Sequence, residues 1–445
     1  MAEDLSTLIE DVIDAGKPEQ EVLLGKLLNQ KEFDALALLL ESLPQEQRLS
    51  TWQQIPPESR IDILVEMRSD PRESLLDAMS LDELDALFKD LDAEDLVELT
   101  ESLPPRLVDR ALLAMDERQR KYYEVAQQYA DNLAGHWIDH HLYVLPQNAK
   151  VRDALRLMRR ELPEYVDAVY LVNRAGHFSQ AVRLGAVIGA PDHVHLTDLV
   201  EPDFSQVRAE ENALDAALKV QRSGYSALPL VDESGALLGR LDIGVASEIV
   251  NEYYEGQIMA GAGMDEDEDL FSPVVTSAKN RAVWLGINLM TAFAAAWFIG
   301  LFEATLQEVV ALAVLMPVVA SMGGIAGSQT LTLIIRGLAL GQVSSGNRKA
   351  LLVKELRVGG LNGAIWSLVV GIVVTFWFSS PLIGFIIALA ILMNIVAAAF
   401  SGVVIPIILD KLRLDPALSG SVVLTTVTDI VGFVAFLGIG TLILL

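Results

Sequence analysis

Cysteine is absent from the 445 residues, which excludes disulfides and thiolate metal sites and leaves the compartment undecided. Histidine is scarce, and all six, His136, His140, His141, His177, His193 and His195, lie in the first half of the chain. Charge all but disappears towards the C-terminus. Residues 279–445 hold 6 acidic and 9 basic side chains, a formal charge of +3, in a nearly continuous apolar background. Residues 1–278 hold 54 acidic and 24 basic side chains, a charge of −30, so the overall −27 belongs to the polar part. Such a surface repels nucleic acid and attracts cations, with ordinary solubility as the plainer explanation. The opening Met1-Ala2-Glu3-Asp4 has neither a basic n-region nor an apolar h-region, so no cleaved signal peptide is expected. A P-loop, a nucleophile elbow and metal-hydrolase spacing are all missing, so no enzyme is expected.

What is there begins with a repeat. Apolar residues recur every twelve positions at Leu43, Ile55, Met67, Met79, Leu91, Leu103 and Met115. Most are followed by Pro44, Pro56, Ser80, Asp92, Pro104 or Asp116. Proline suits the first turn of a helix, and Ser or Asp accepts a bond from its free N–H groups. Each unit therefore reads as one short helix, which cannot bury its apolar side alone and must stack on its neighbours. Residues 1–132 are expected to form a small α-superhelix.

Residues 133–244 carry a second repeat of about sixty residues. Asp153–Met158 followed by Val169–Gly176 parallels Asp215–Val220 followed by Ala227–Gly235, each reading helix, strand, turn and strand. This order resembles a tandem CBS-domain pair, an α/β regulatory module. A connecting helix over about 245–260 and an acidic linker, Asp265 to Asp269, fill residues 245–280. Glu248, Glu252 and Glu255 share one face of that helix, at i, i+4 and i+7, where like charges repel. A divalent cation would relieve the repulsion by bridging this face to another acidic surface. The candidates are Asp90, Asp92, Glu94 and Asp95, or a second copy of the chain; a solvated helix face is the alternative.

From residue 281 onward, five stretches are long enough to cross about 30 Å of hydrocarbon: 282–302, 308–335, 356–378, 382–409 and 416–444. All nine Lys and Arg of this region fall before the first span, between the second and third, or between the fourth and fifth. The positive-inside rule makes that side cytoplasmic, with the N-terminal domains inside and Leu445 outside.

Within these boundaries Asp429 is the only ionisable side chain deep in a span, about 20 Å from its start at about 1.5 Å per residue. A charge there costs roughly 2.5–3.5 kcal/mol, so such a residue is a functional candidate by default. Ser421, Thr425, Asp429 and Gly432 form one small, polar stripe. The alternative is a protonated Asp at a helix contact, with the threonines bonding back to their own helix. In the second span, Pro317 and the glycines of Gly323-Gly324-Ile325-Ala326-Gly327-Ser328-Gln329 either expose carbonyls to a pore or let helices pack closely. Without His or Cys, the spans offer only oxygen ligands, which suit a hard cation such as Mg2+.

The order of acidic helical domain, CBS pair, connecting helix and five spans resembles the MgtE family of bacterial magnesium channels. The most specific pieces are Leu301-Phe302-Glu303, Pro317…Gly323-Gly324…Gly327-x-Gln329 and Asp415-Pro416-Ala417…Thr425-Thr426-x-x-Asp429. The resemblance implies a multi-pass protein of the bacterial inner membrane, forming a homodimer with its pore at the subunit interface. It implies that Asp429 of each chain binds hydrated Mg2+, and that the cytosolic domains close the pore when internal Mg2+ is high. Ser421, Thr425, Gly324, Ser328, Gln329 and Thr332 are the further candidate pore ligands, with Glu303 at the entrance. Two departures stand out. The family's Gly-Gly-Asn and Gly-Asn-Gln read Gly323-Gly324-Ile325 and Gly327-Ser328-Gln329 here, and the acidic pair after the last CBS strand reads Ile243-Gly244-Val245. A Thr…Asp pattern for holding ribose is missing too, so nucleotide binding is not expected. The alternatives are a secondary transporter with Asp429 as its protonatable coupling site, and a membrane-tethered sensor without transport.

Overall fold

The computed structural model describes residues 9, 17–89, 91–100, 102–159, 165–202, 204–264, 268 and 270–445, without the side chains of residues 17–23. The chain divides into two compact units, Met1–Glu255 with Asp267–Pro273, and Gly256–Glu266 with Val274–Leu445. Asp90 and most of the Asp265–Asp269 run lie outside the described residues.

The first unit opens as short stacked helices, among them Phe33–Glu41, Gln45–Trp52, Ser69–Ala78, Leu81–Leu87, Ala93–Leu99, Pro105–Ala114 and Glu117–Ala126. The twelve-residue repeat has a direct meaning here. Leu43, Ile55, Met67, Leu91, Leu103 and Met115 are all buried in one shared core, and Met79 packs against it. The residue after each is the N-cap of the next helix, Pro44, Pro56, Arg68, Ser80, Asp92, Pro104 and Asp116. The prolines thus sit one position earlier than expected, in extended backbone rather than in the first turn. Ser80 and Glu83, like Asp92 and Asp95, close reciprocal capping boxes that satisfy free N–H groups at both partners. Every repeat but that of Met79 therefore buries one large apolar side chain, contributing about 1.5–3 kcal/mol, immediately before a fixed helix start.

Two three-stranded sheets follow. In the first, β1 (Val144–Pro146) runs parallel to β2 (Ala168–Val172), which pairs antiparallel with β3 (Phe178–Arg183). In the second, β4 (Val207–Arg208), β5 (Ala227–Val231) and β6 (Leu237–Asp242) repeat that arrangement. Helices Val151–Met158 and Ala213–Ser223 precede β2 and β5, giving the twofold repeat of a CBS pair. Gly176 and Gly235 turn the two hairpins at φ of +82° and +86°, a conformation open to glycine without strain. The connecting helix runs Ile243–Gly261.

The second unit holds five helices long and apolar enough to cross a membrane: Val274–Gly300, Val310–Ala339, Arg348–Phe378, Pro381–Lys411 and Pro416–Leu444. The fourth is the axis of the bundle. Half of its apolar window is buried inside the chain, against 6% for the first. Two helices start eight residues earlier than their apolar stretches, because the Ser, Lys and Arg ahead of the apolar core are compatible with a helix. Extending the third span to Arg348 brings Glu355 inside it, where it is 4% exposed. Asp429 is therefore not the only carboxylate within a span helix. Glu355 pairs with Lys354 and accepts from Thr330 Oγ1 at 3.4 Å. Pro317 and Pro406 stand inside helices that continue through them.

Candidate ion path and acidic pocket

The polar stripe of the fifth span faces outward from the single chain, with Thr425 exposed and Ser421 and Asp429 half-buried. The threonine hydroxyls bond back to their helix, Thr425 to Ser421 O at 2.9 Å, Thr426 to Val422 O at 2.7 Å and Thr428 to Thr425 O at 3.0 Å. Each such hydroxyl spends its proton on the helix and keeps oxygen lone pairs free, which is the form a cation or its water accepts. On the second span, Ser321, Ile325, Ser328, Gln329 and Thr332 are all exposed along one side. Gly324 has open space where a Cβ would stand. Glu303 is exposed in the short helix Glu303–Glu308 and accepts from Gln307 Nε2 at 3.1 Å.

The glycine pair of the second span does something else. A Cβ on Gly323 would lie 2.2 Å from the Asn394 amide nitrogen, and one on Gly327 3.1 Å from Leu424. Both glycines therefore admit the fourth and fifth spans. The packing explanation holds for Gly323 and Gly327, while Gly324 remains on the open side.

In the first unit, a cavity of about 650 Å³ lies between the helical domain and the CBS pair. Seven carboxylates line it, Glu66, Glu94, Asp95, Glu98, Asp139, Asp242 and Glu248. Their charges crowd one another. Burial, then Glu98, Glu252 and Glu66, push Glu248 up to about 8. Burial and the neighbouring Asp92 push Asp95 up to about 7. Asp242, which caps the connecting helix by accepting from Gly244 N at 2.7 Å and Val245 N at 3.0 Å, is raised by burial. Asp92 is also raised by burial and by Glu94. Glu248 and Asp95 therefore hold protons near neutral pH that a divalent cation would displace.

One wall of the cavity is already neutralised. Arg240 Nε donates to Asp139 Oδ2 at 2.5 Å, and His141 Nδ1 meets Asp139 Oδ1 at 3.1 Å. That hydrogen bond holds the His141 imidazolium up to about 9 against the cost of burial. His140 Nδ1 and N both reach Glu94 Oε1 at 3.0 Å, which outweighs burial and keeps that carboxyl below its ordinary value. Glu94, Asp139 and His141 bring one ligand atom each within 4.8 Å of one another, the one group of at least three such side chains so close among the described residues. His136 turns its Nδ1 to Tyr129 O at 3.3 Å.

Of the regulatory residues marked in the sequence, Glu94, Asp95 and Glu248 line this cavity. Asp92 closes the capping box with Asp95 and stands behind it. Glu252 and Glu255 are exposed, and Glu255 is held by Arg68 at 2.5 Å. Sequence reasoning missed Glu66, Glu98, Asp139, His141 and Asp242, which come from separate segments with no shared spacing. Only Asp242 carried a signal, as the one acid left beside Ile243-Gly244-Val245 at the end of the last CBS strand.

An acidic, CBS-bearing polar part followed by five apolar helices with outward polar stripes defines a multi-pass membrane transport protein. The comparisons give the family. A family model described as "Divalent cation transporter" matches residues 316–439, and one for the MgtE intracellular N domain matches residues 31–132. The chain belongs to the MgtE family. It is 27% identical over 354 residues to the magnesium transporter MgtE of Bacillus subtilis, covering 79% of this chain and 78% of that one. It is 26% identical to the magnesium transporter MgtE of Thermus thermophilus, covering 79% of each. Among solved structures, the CBS pair domain of a putative Mg2+ transporter from Shewanella oneidensis is 36% identical, covering 38% of this chain and 99% of that one, with a TM-score of 0.33. The cytosolic domain of the Mg2+ channel MgtE, solved in complex with ATP, is 21% identical, covering 52% of this chain and 99% of that one, with a TM-score of 0.38.

Proposed function

We propose that the protein conducts Mg2+ across the bacterial inner membrane as a homodimer, with the Ser421–Thr425–Asp429 stripe lining the path. The carrying observation is that this stripe, with Asp429 near the middle of an apolar helix, is left uncovered by the single chain. A lipid-facing carboxylate at that depth is costly, and a second copy turns the stripe into a shared, water-accessible seam. Gly324, Ser328, Gln329 and Thr332 extend the seam from the second span, with Glu303 at its outer entrance. The N-terminal unit and the basic junctions lie on the cytoplasmic side, and Leu445 outside. Mg2+ entering the acidic pocket displaces protons and lowers flux through the spans.

Recording from the purified protein in planar bilayers tests this reading. A channel gives a reversal potential that follows the Mg2+ gradient alone. A reversal potential displaced by a pH gradient instead identifies the proton-coupled transporter, and no current or flux leaves a tethered sensor. The ATP complex described for the relative makes nucleotide binding to this CBS pair a quantity to measure, and equilibrium dialysis with ATP decides it.

Selectivity follows from the same face. Ile325 and Ser328 are exposed beside Gln329, where amides would offer stronger oxygen ligands than an alkyl side chain, which has none, and a hydroxyl. The double substitution Ile325→Asn with Ser328→Asn is expected to raise the Mg2+ over Co2+ flux ratio by about tenfold, of the order of one added ion–dipole contact. Equal ratios in the two proteins place these side chains away from the ion.

A further inference from the structure

Asn394 is the lone carboxamide of the fourth span, and it is fully buried at the middle of that helix. Its Nδ2 donates to Val319 O, on the second span, at 2.9 Å. Its Oδ1 is buried and makes no hydrogen bond among the described residues. The amide fills a slot formed by two glycines on two different helices. A Cβ on Gly323 would lie 2.2 Å from Nδ2, and one on Gly432 2.6 Å from it. Gly323 adjoins Gly324, and Gly432 follows Asp429 by one turn. The two halves of the proposed ion path thus meet at a single side chain that lines neither.

Helix packing alone does not require this arrangement. An aliphatic side chain would fill the slot without leaving a carbonyl oxygen unpaired in an apolar core, where that omission is costly. A polar group kept under such a penalty marks a site selected for something besides stability. We infer that Asn394 is the positioning residue of the ion path. By pinning Val319 O and wedging Gly323 against Gly432, it sets the spacing between the Gly324 turn of the second span and the Asp429 turn of the fifth. That spacing decides how well a hydrated ion fits between them, so Asn394 governs ion discrimination without touching the ion.

The inference rests on reading the spans as an ion path, so wild type and Asp429→Ala are measured alongside as controls for that reading. Asn394→Leu keeps the volume and removes the donor. Asn394→Asp keeps a donor for Val319 O when it is the neutral acid and has none when ionised. In proteoliposomes, Asn394→Leu is expected to lower the Mg2+ over Co2+ flux ratio by about tenfold, the scale of one lost hydrogen bond, with the dimer intact by size-exclusion chromatography. Asn394→Asp is expected to keep the wild-type ratio at low pH and lose it as pH rises, a profile that a purely structural role would not give. A wild-type ratio in Asn394→Leu, or a pH-independent ratio in Asn394→Asp, overturns the positioning role while wild-type flux still supports the path. Absent wild-type flux overturns the path itself. Should Asn394→Leu fail to assemble, the pH profile of Asn394→Asp alone decides.

Discussion

Asp429→Ala is expected to reduce Mg2+ flux to background while leaving the dimer assembled. Asp429 is half-buried on the outward stripe of the fifth span, thirteen residues beyond Pro416, and is surrounded by helices with no other carboxylate at that depth. A single negative charge acting on a divalent ion at about 5 Å, in a partly shielded medium, is worth on the order of several kcal/mol. Two chains meeting at a shared seam would supply it twice. Its loss therefore exceeds a hundredfold change in occupancy, at about 1.4 kcal/mol per factor of ten. The neighbouring hydroxyls cannot replace it, because Thr425 and Thr428, which donate to their own helix, offer a cation only neutral oxygens and no charge. Asp429→Asn keeps the shape and removes the charge, so it should resemble the alanine variant in flux. Isotope uptake into proteoliposomes, with chromatography of the same preparation, checks both points. Flux at the wild-type level in either variant would remove Asp429 from the path.

How much of this was legible in the sequence depends on the range of the interaction. The helical domain was readable because its signal is local. One buried apolar residue and one cap recur every twelve positions, and both act within a turn of each other. The spans were readable because hydrocarbon demands long apolar helices regardless of neighbours. Their starts were not, since Arg348 or Ser277 fits a helix as well as a junction and only the fold chooses. The CBS repeat was visible through its longer strands, whereas β1 and β4, of three and two residues, carry too little pattern to read.

The sites were legible only in part. Asp429 stands out against an apolar background, and no partner is needed to notice it. The roles of Gly323 and Gly327 turned on which side of the helix met the fourth and fifth spans, which spacing alone leaves open. Glu248, Glu252 and Glu255 share a helical face by arithmetic. Yet Glu248 meets Glu98 and Glu66 across the chain, while Glu255 finds Arg68, 187 residues away. Long-range partners decide which member of an acidic face meets other carboxylates and which meets an arginine, and a single sequence does not contain them.

Those partners yield the other large expected effect. In the folded protein Glu248 is raised to about 8 and Asp95 to about 7, above their ordinary values of 4.5 and 3.8. For both groups the folded state binds a proton more tightly than the unfolded chain does. Without Mg2+, the stability these two groups contribute is therefore fully present at or below the ordinary carboxylate range. It falls as pH rises towards 7 and 8, by on the order of a few kcal/mol in all. Mg2+ can take the place of those protons only where they leave readily, so its affinity should rise with pH over the same window. Binding near pH 7 should release roughly one to two protons. Thermal melts of the full chain in detergent, from pH 5 to 9, should show a falling midpoint without Mg2+ and a recovered one with millimolar Mg2+. Calorimetry in buffers of different ionisation enthalpy counts the protons. The neutral double variant Glu248→Gln with Asp95→Asn should flatten the pH slope, lose the Mg2+-dependent shift, and keep conducting when internal Mg2+ is high. Closure by internal Mg2+ that survives unchanged in that variant would show that sensing lies elsewhere than in this pocket.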